Sequence, residues 1–378
     1  MGRHYGKRII VGLLYIAVLL TLSACMQWFN ASPVALFDAS PSEGYAELEV
    51  VFDATASFDA DGDALSYVWN FGDGTSGTGS QAVHKYKESG TYLAELTVSD
   101  GWSGVDRAVT QVRVLDASGT PYALVVGVSK YADGGDLGST DDDARAFAQR
   151  LLDRSQQWKP ENVILLIDEQ ATANAFKAAL SDLAARTTPA DLLVIFFSGH
   201  GTSWHDRPPY DEWDGWDEAL CFHDGVDLSD DELETLLSGV SAGRLLAIFD
   251  TCNSGGMIRS GQRPETLGAG VASDLVDRAN VRPQDIDKLD RHIVALTASS
   301  DWQYSWEFPA LGHGVFTYYL LQAIDGWADA AGNQDGRVSA EECYAYLAPL
   351  VVTYSSHYAD PQEPQLLDLC PGELVFLE

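Results

Sequence analysis

A cysteine and a histidine stand at the ends of two apolar runs of the chain. Cys252 lies in "LLAIFDTCNSGG" (245–256), and His200 lies in "VIFFSGHG", 52 residues upstream (252 − 200). An imidazole beside a thiol can accept the thiol proton and later protonate a leaving amine. The pair therefore predicts a nucleophilic cysteine, with His200 as its general base and acid.

Glycine and serine surround both candidate residues. Gly199 and Gly201 flank His200, and a Ser-Gly-Gly run follows within two residues of Cys252. Glycine lets the backbone turn sharply, so that N–H groups can point toward the oxyanion of an acyl-transfer intermediate. A lone histidine or cysteine is more often a core residue with its hydrogen bonds satisfied. The occurrence of both residues at matched strand ends favours the catalytic interpretation.

The elements that must position this pair alternate between strand and helix after residue 120. Unbroken apolar runs predict strands buried on both faces, and runs with helical spacing of apolar residues lie between them. This order predicts an α/β domain with a mainly parallel central sheet, in which ligands bind at the carboxyl ends of the strands. The strand runs are "PYALVVGV", "NVILLID", "DLLVIFFSG" and "RLLAIFD", and the helical runs are "DDDARAFAQRLLDRS", "ATANAFKAALSDLAAR" and "DDELETLLSGV".

The region before the α/β part, residues 33–115, has the pattern of an all-β domain. Short runs such as "TYLAELTVSD" alternate apolar and polar residues and are broken by Gly and Asp turns. The stretches "YVWNFGDGTSGTG" and "HKYKESGTYLAELTVSDG" resemble a PKD domain, which implies an immunoglobulin-like sandwich that serves as a spacer or a binding unit. Residues 116–120 read as a linker. The acidic run Asp59 to Asp63 is either a solvated turn or a calcium site.

Residues 121–378 resemble the caspase-like cysteine peptidases, the group of caspases and metacaspases. The motifs "FFSGHG" and "FDTCNSGG" carry the resemblance, and the spacing of His and Cys fits it. Further similar stretches are "ALVVGVSKYAD", "DLGSTDDDARAFAQRL", "DGWDEALCFHDG" and "HIVALTASSDWQYSWE". The resemblance implies a cysteine endopeptidase that acts on protein or peptide substrates. It also implies that the backbone N–H groups of Gly201 and Cys252 form the oxyanion hole.

The same resemblance implies an acidic S1 pocket that binds the substrate residue before the cleaved bond. Its residues here correspond to Asp250, Asp143 and Ser198. Asp250 lies two residues before Cys252, so in an extended strand both side chains share a face. A carboxylate pair suits Lys or Arg, above all a bidentate Arg. As alternatives, Asp250 caps a turn and Asp143 only begins its helix.

The chain departs from the metacaspase pattern at several positions. Asn253 stands where these enzymes usually have His, which predicts altered geometry but retained chemistry. The acids that match a metacaspase calcium site are Asp230, Asp231 and Asp214, but Arg259 stands where another acid is expected. We therefore expect no cofactor and no resident metal, and calcium dependence is disfavoured.

Two further segments of the peptidase-like region are open to interpretation. Residues 259–291 are either an exposed linker that is cleaved on activation or a plain surface loop. Residues 329–345 resemble a degenerate EF-hand loop, with Asn333, Asp335, Gly336 and Glu342 at its ligand positions, but Ala331 at position one lacks an oxygen ligand. A loop-to-helix turn is the simpler interpretation.

The N-terminus has the pattern of a bacterial lipoprotein signal peptide over residues 1–24. Basic residues precede an apolar run that is too short for an ordinary membrane span, and "LSAC" resembles a lipobox ending at Cys25. Cleavage there would make Cys25 the first mature and lipidated residue, with 25–32 as a linker. We expect a lipid-anchored envelope protein, in the outer membrane if the host is Gram-negative, because Met26 and not Asp follows.

Composition limits the partners of the protein. The formal charge of −33 disfavours nucleic acid, because two polyanions repel each other. We expect a monomer. The sequence leaves the pairing of Cys221, Cys343 and Cys370 open. Two rival functions remain: a catalytically silent caspase fold used for binding, which the intact His–Cys pair disfavours, and a PKD-based adhesion protein, which the single PKD copy disfavours.

Overall fold

The structure is a computed structural model that describes residues 30–116, 118–205, 216–252, 291–300, 303–369 and 373–377. The chain divides into two compact units, which meet between Leu115 and Asp116. None of the helices in these ranges is long and apolar enough to cross a membrane.

The first unit is a β-sandwich, as the sequence predicts. A three-stranded sheet (β1-β3-β6) and a five-stranded sheet (β2-β8-β7-β4-β5) build it around one apolar core. Strand β3 buries every second residue, and the aromatic residues Trp69 and Phe71 are both buried. The strands are β1 (Asp38–Ser40), β2 (Glu43–Tyr45), β3 (Leu48–Asp53), β4 (Ser66–Asn70), β5 (Ser76–Thr78), β6 (Gln81–Tyr86), β7 (Gly90–Ser99) and β8 (Val105–Leu115).

The second unit contains the predicted mainly parallel sheet, in the order β10-β9-β11-β15-β16-β20. The first five strands are parallel, and β20 pairs antiparallel with β16 at the edge. Small sheets β12-β13-β14, β17-β18 and β19-β21 lie outside it. The strands are β9 (Pro121–Gly127), β10 (Val163–Ile167), β11 (Leu192–Ser198), β12 (Gly201–His205), β13 (Trp216–Cys221), β14 (Asp227–Ser229), β15 (Arg244–Asp250), β16 (His292–Thr297), β17 (Glu307–Phe308), β18 (His313–Gly314), β19 (Val338–Ser339), β20 (Gln365–Asp368) and β21 (Val375–Leu377).

Helices cover both faces of the central sheet, which explains the unbroken apolar runs of its strands. Helices α1, α4, α5 and α6 contribute to the core on one face, and α2 and α3 contribute to the core on the other. A π-helical turn, Ala323–Trp327, links α4 to α5. The helices are α1 (Thr140–Arg154), α2 (Ala173–Arg186), α3 (Asp230–Ser238), α4 (Val315–Gln322), α5 (Ala328–Ala331) and α6 (Ala340–Tyr358).

The central strands β11 and β15 are direct parallel neighbours. Their register pairs the last residue of one, Ser198, with the last residue of the other, Asp250. Both strands therefore end at the same level of the sheet. His200 and Cys252 follow two residues later and lie at the same rim. The sequence prediction that two strand ends present these residues together is borne out at the level of the backbone.

Candidate active site

One cleft at this rim gathers the predicted site residues. Its lining includes His200, Cys252, Ser198, Asp143 and Asp250. The cleft encloses about 360 Å³, including the part open to solvent. The remaining lining residues are Leu137, Thr140, Gly199, Ser305, Glu307 and Gly314.

The imidazole of His200 is held by groups from the loop after β9. Its Nε2 atom lies 2.7 Å from the carbonyl oxygen of Gly135, and its backbone N–H donates to the hydroxyl of Tyr131 over 2.7 Å. The Tyr131 ring lies against the imidazole, with 4.7 Å between the centroids. A carbonyl can only accept, so the proton of the neutral ring is on Nε2 and the Nδ1 lone pair is left as the base.

The thiol of Cys252 lies half-buried at the end of the turn that follows β15. Its sulfur is 4.0 Å from the carbonyl oxygen of Ser305. Burial raises the pKa of this thiol, and the nearby charges of Asp250 and Glu307 act in the same direction. The free protein therefore holds Cys252 as a thiol, and a nucleophilic role requires a base beside it.

Gly201 brings the histidine loop against the cysteine loop. A Cβ atom at this position would lie 2.3 Å from the carbonyl oxygen of Cys252 and 2.7 Å from the hydroxyl of Thr251. No side chain fits there, so only glycine lets the backbone after His200 approach the backbone of Cys252 this closely.

Asp143 is the deepest acid of the cleft and is completely buried. Its carboxylate accepts hydrogen bonds from Ser198 Oγ at 3.0 Å and Gly314 N at 3.3 Å, and it lies 2.7 Å from His313 Nδ1. Burial raises its pKa to about 7, with a contribution from the charge of Asp250. Asp143 belongs to the first turn of α1 and also lines the cleft.

Asp250 is the second buried acid, with 4% of its surface exposed. Ser305 Oγ donates to one carboxylate oxygen at 2.5 Å, and Thr317 donates to the other through Oγ1 at 2.6 Å and through N at 3.1 Å. Burial raises the pKa of this carboxyl, while these hydrogen bonds act against the rise. Asp250 lies at the end of β15 and lines the cleft, and its carboxylate also accepts the N–H of Thr317 in the first turn of α4.

Gly314 separates the two buried carboxylates. A Cβ atom there would lie 2.8 Å from Asp250 Oδ2 and 3.3 Å from Asp143 Oδ2. Both acids therefore approach the same point of the backbone, on the side that lines the cleft. A cationic group that enters the cleft meets two carboxylates in surroundings with little water.

Several residues of the cleft were not assigned a role from sequence. Glu307 is a third acid, and it accepts hydrogen bonds from Gly138 N at 2.9 Å and Ser139 Oγ at 2.7 Å. Glu307 and Ser305 belong to the stretch "ASSDWQYSWE", whose similarity to the caspase group was the available signal. His313 and Tyr131 contact site residues that lie far from them in the sequence, and no local sequence pattern predicts such contacts.

The cation ligands expected from the metacaspase pattern do not form a cluster in the described part of the chain. Asp230 is buried at the start of α3, and burial raises its pKa to about 8. Neither Asp230 nor Asp231 belongs to a group of three potential ligands within the described ranges. Asp214, Arg259, Asn253 and the segment 259–291 lie outside the described residues.

The EF-hand-like segment 329–345 is arranged as a loop-to-helix turn. Glu342 forms a capping box with Ser339 at the start of α6, and it also accepts the N–H of Asn333 at 3.1 Å. Its carboxylate thus serves the backbone of the loop, as the simpler interpretation predicted.

The cysteine pairing that the sequence left open can be addressed for three of the cysteines. Cys221, Cys252 and Cys343 are free thiols. Cys25 and Cys370 lie outside the described residues.

Family models and relatives agree with this architecture. The model for the caspase domain matches residues 120–357, and the model for the PKD domain matches residues 30–114. The chain belongs to the caspase family. Metacaspase-4 of Arabidopsis thaliana is 29% identical over 164 residues, which cover 42% of this chain and 38% of that protein.

Two more relatives extend the comparison. Metacaspase-1 of Candida albicans is 30% identical over 158 residues, covering 38% of this chain and 35% of that protein. Collagenase ColA of Clostridium perfringens is 37% identical over 87 residues, which cover 23% of this chain and 8% of the collagenase. The chain thus spans less than two fifths of the length of these relatives. Both resemblances predicted from the motifs, to PKD domains and to caspase-like peptidases, are confirmed.

Proposed function

We propose that this caspase-family protein is a cysteine endopeptidase in which Cys252 is the nucleophile and His200 the general base. Nδ1 of His200 accepts the thiol proton as sulfur bonds to the scissile carbonyl carbon. The same proton then passes to the leaving amine as the C–N bond breaks, and water hydrolyses the thioester. The Gly135 carbonyl supports this role, because it holds the imidazole with Nδ1 unprotonated.

The oxyanion that forms during attack needs preorganised donors. We assign this role to the backbone N–H groups of Gly201 and Cys252. The close approach of Gly201 to the Cys252 backbone supports the assignment, because it brings the backbone after His200 next to the backbone of the thiol residue.

The single observation that supports specificity most strongly is the pair of buried carboxylates in the cleft of the thiol. Asp143 and Asp250, with Ser198 hydrogen-bonded to the former, form the proposed S1 pocket. A guanidinium or ammonium group entering there offsets two carboxylates that lack water, so Arg or Lys is favoured before the scissile bond. An Asp side chain is disfavoured by like-charge repulsion.

A panel of peptides that differ only at P1 tests this proposal. We expect cleavage after Arg and Lys and far less after Asp or Leu. Asp250→Asn should lower kcat/KM for the Arg peptide by roughly 30-fold or more, since loss of one partner of a buried charge pair costs about 2–5 kcal/mol. Asp182→Asn, at an exposed acid on α2 outside the cleft, is the matched control. A preference for Asp at P1, or indifference to Asp250→Asn, would show that the pocket assignment is mistaken.

For localisation, we propose lipid anchoring to the bacterial envelope through Cys25. The "LSAC" motif after a basic and apolar leader supports it. Cys25→Ala should release the protein from the membrane fraction or block its processing. Mass spectrometry of the native protein that finds an unmodified Cys25 inside an intact N-terminus would rule the anchor out.

A further inference from the structure

Three potential metal ligands meet at the edge of the central sheet. One ligand atom each from His292, Glu341 and Asp368 lies within 4.8 Å of the other two. His292 is almost completely buried, Glu341 is half-buried and Asp368 is exposed. The cluster therefore has one side in the protein and one side open to solvent.

The fold brings these residues together by strand register and helix packing. Asp368 pairs with Val294 on the neighbouring antiparallel strand, and His292 lies two residues from Val294, so both side chains are on one face. Glu341 is in the first turn of α6, which packs on that same face. The backbone N–H of Leu374 lies 3.0 and 3.2 Å from the two carboxylate oxygens of Glu341 and fixes their orientation.

The cluster lies at the opposite rim of the sheet from the cleft. His292 is the first residue of β16, whereas Cys252 and His200 follow the last residues of the parallel strands β15 and β11. The six residues of β16 separate the two rims by about 17 Å, at roughly 3.3 Å per residue. A ligand of this cluster would thus not touch the reacting atoms.

The distance between His292 and Asp368 fits a shared metal ion better than a hydrogen bond. Nε2 of His292 lies 3.5 Å from Oδ1 of Asp368. A charge-assisted hydrogen bond would be about 2.7–2.9 Å long. Two ligand atoms on a tetrahedral zinc ion, each about 2.0–2.1 Å from the metal, lie about 3.3–3.4 Å apart.

We propose that His292, Glu341 and Asp368 form a three-ligand Zn²⁺ site that ties β16, β20 and α6 together, with water completing the coordination. One imidazole and two carboxylates are a mixed nitrogen and oxygen set, which suits zinc, whereas calcium and magnesium prefer oxygen alone. Because the ion links three elements that are distant in sequence, it stabilises the folded state and does not take part in the chemistry.

Zinc binding to the full-length Cys252→Ala variant tests the proposal, since this background removes the thiol as a competing ligand. Titration calorimetry should show one Zn²⁺ per chain at this site, and zinc should raise the Tm of the peptidase unit. Asp368→Asn and, separately, Glu341→Gln should each weaken binding by about tenfold or more. Asp61→Asn, in the other acidic group, should leave it unchanged.

Asp368→Asn is the decisive variant, because this exposed residue can change without unfolding the core. The proposal is overturned if Cys252→Ala binds no zinc, or if Asp368→Asn and Glu341→Gln fold normally and bind it as tightly as their parent. Neither result bears on peptide cleavage, which is measured on the unsubstituted thiol.

Discussion

At the scale of single residues, the acids of the proposed S1 pocket also oppose ionisation of the proposed nucleophile. Burial raises the pKa of the Cys252 thiol, and the charges of Asp250 and Glu307 add to that effect. A P1 guanidinium would offset those charges when it binds. In the proposed mechanism, substrate binding and thiol activation are therefore coupled through the carboxylates of the cleft.

Substitution of either dyad residue should abolish cleavage. Cys252→Ala removes the nucleophile and His200→Ala removes its base, so each should lose peptidase activity while thermal unfolding stays close to that of the parent protein. Cys221→Ala changes another free thiol of the same unit and should keep activity. Wild-type-like turnover in either dyad variant would end the cysteine-peptidase proposal.

Asp250→Asn should have opposite effects on two reactions of the same protein. Cleavage of Arg peptides should fall, while the pH profile of Cys252 alkylation by iodoacetamide should shift to lower pH, because a charge that raises the thiol pKa is gone. General damage to the site would slow both reactions. An unchanged alkylation profile would show that Asp250 does not act on the thiol.

The preference for arginine over citrulline at P1 should increase as the pH rises through about 7. Burial raises the pKa of Asp143 to about 7, so its carboxylate becomes charged in this range and binds the guanidinium more strongly than neutral citrulline. Proton loss from the adjacent His313 also makes the pocket more negative. Taking the ratio of the two kcat/KM values cancels ionisation of the dyad. A ratio independent of pH, or one equally pH-dependent in Asp143→Asn, contradicts this assignment.

At the scale of elements, the proposed mechanism requires the two loops at neighbouring strand ends to approach closely. Gly201→Ala would place a Cβ atom 2.3 Å from the Cys252 carbonyl oxygen. The loops would have to separate, and a displacement of about 1 Å can cost about 100-fold in rate. We expect a loss of that order in kcat/KM.

Gly138→Ala is the matched control for this substitution. Its new Cβ atom would meet nothing closer than 3.5 Å, so activity should change little. Full activity of Gly201→Ala would show that the close approach of the loops is not needed for catalysis.

The strand ends could be predicted from sequence, but the residues that hydrogen-bond to the site residues could not. Apolar runs ending at Ser198 and Asp250 locate the exits of two buried strands, and parallel pairing follows from the alternation with helices. The partners of the site come from distant segments, from 55 residues away for Ser305 beside Asp250 to 170 residues away for His313 beside Asp143. Such contacts depend on how α4 packs against the sheet, and the periodicity of apolar residues along the chain does not predict this packing.

At the scale of the whole molecule, the two units have separate apolar cores. Leu96 lies in the core of the β-sandwich, and Leu347 lies in one of the two cores of the caspase-family unit. Each unit buries enough apolar side chains to fold around its own centre. Their stabilities should therefore respond to different substitutions.

Calorimetry of two core variants tests this independence. Leu96→Ala should destabilise the PKD unit by about 2–5 kcal/mol and leave peptide cleavage intact, while Leu347→Ala should lower the other transition by a similar amount. If Leu96→Ala also shifts unfolding of the caspase-family unit, the two units stabilise one another.

Covalent labelling tests the central claim most directly. The purified protein is incubated with a peptide inhibitor that carries Arg at P1 and a thiol-reactive group in place of the scissile bond, and the modified residue is mapped by mass spectrometry. The account predicts one label, on Cys252, with much slower labelling in Asp250→Asn and in His200→Ala. A label on another residue, or equal labelling by a matched inhibitor with Asp at P1, would contradict it.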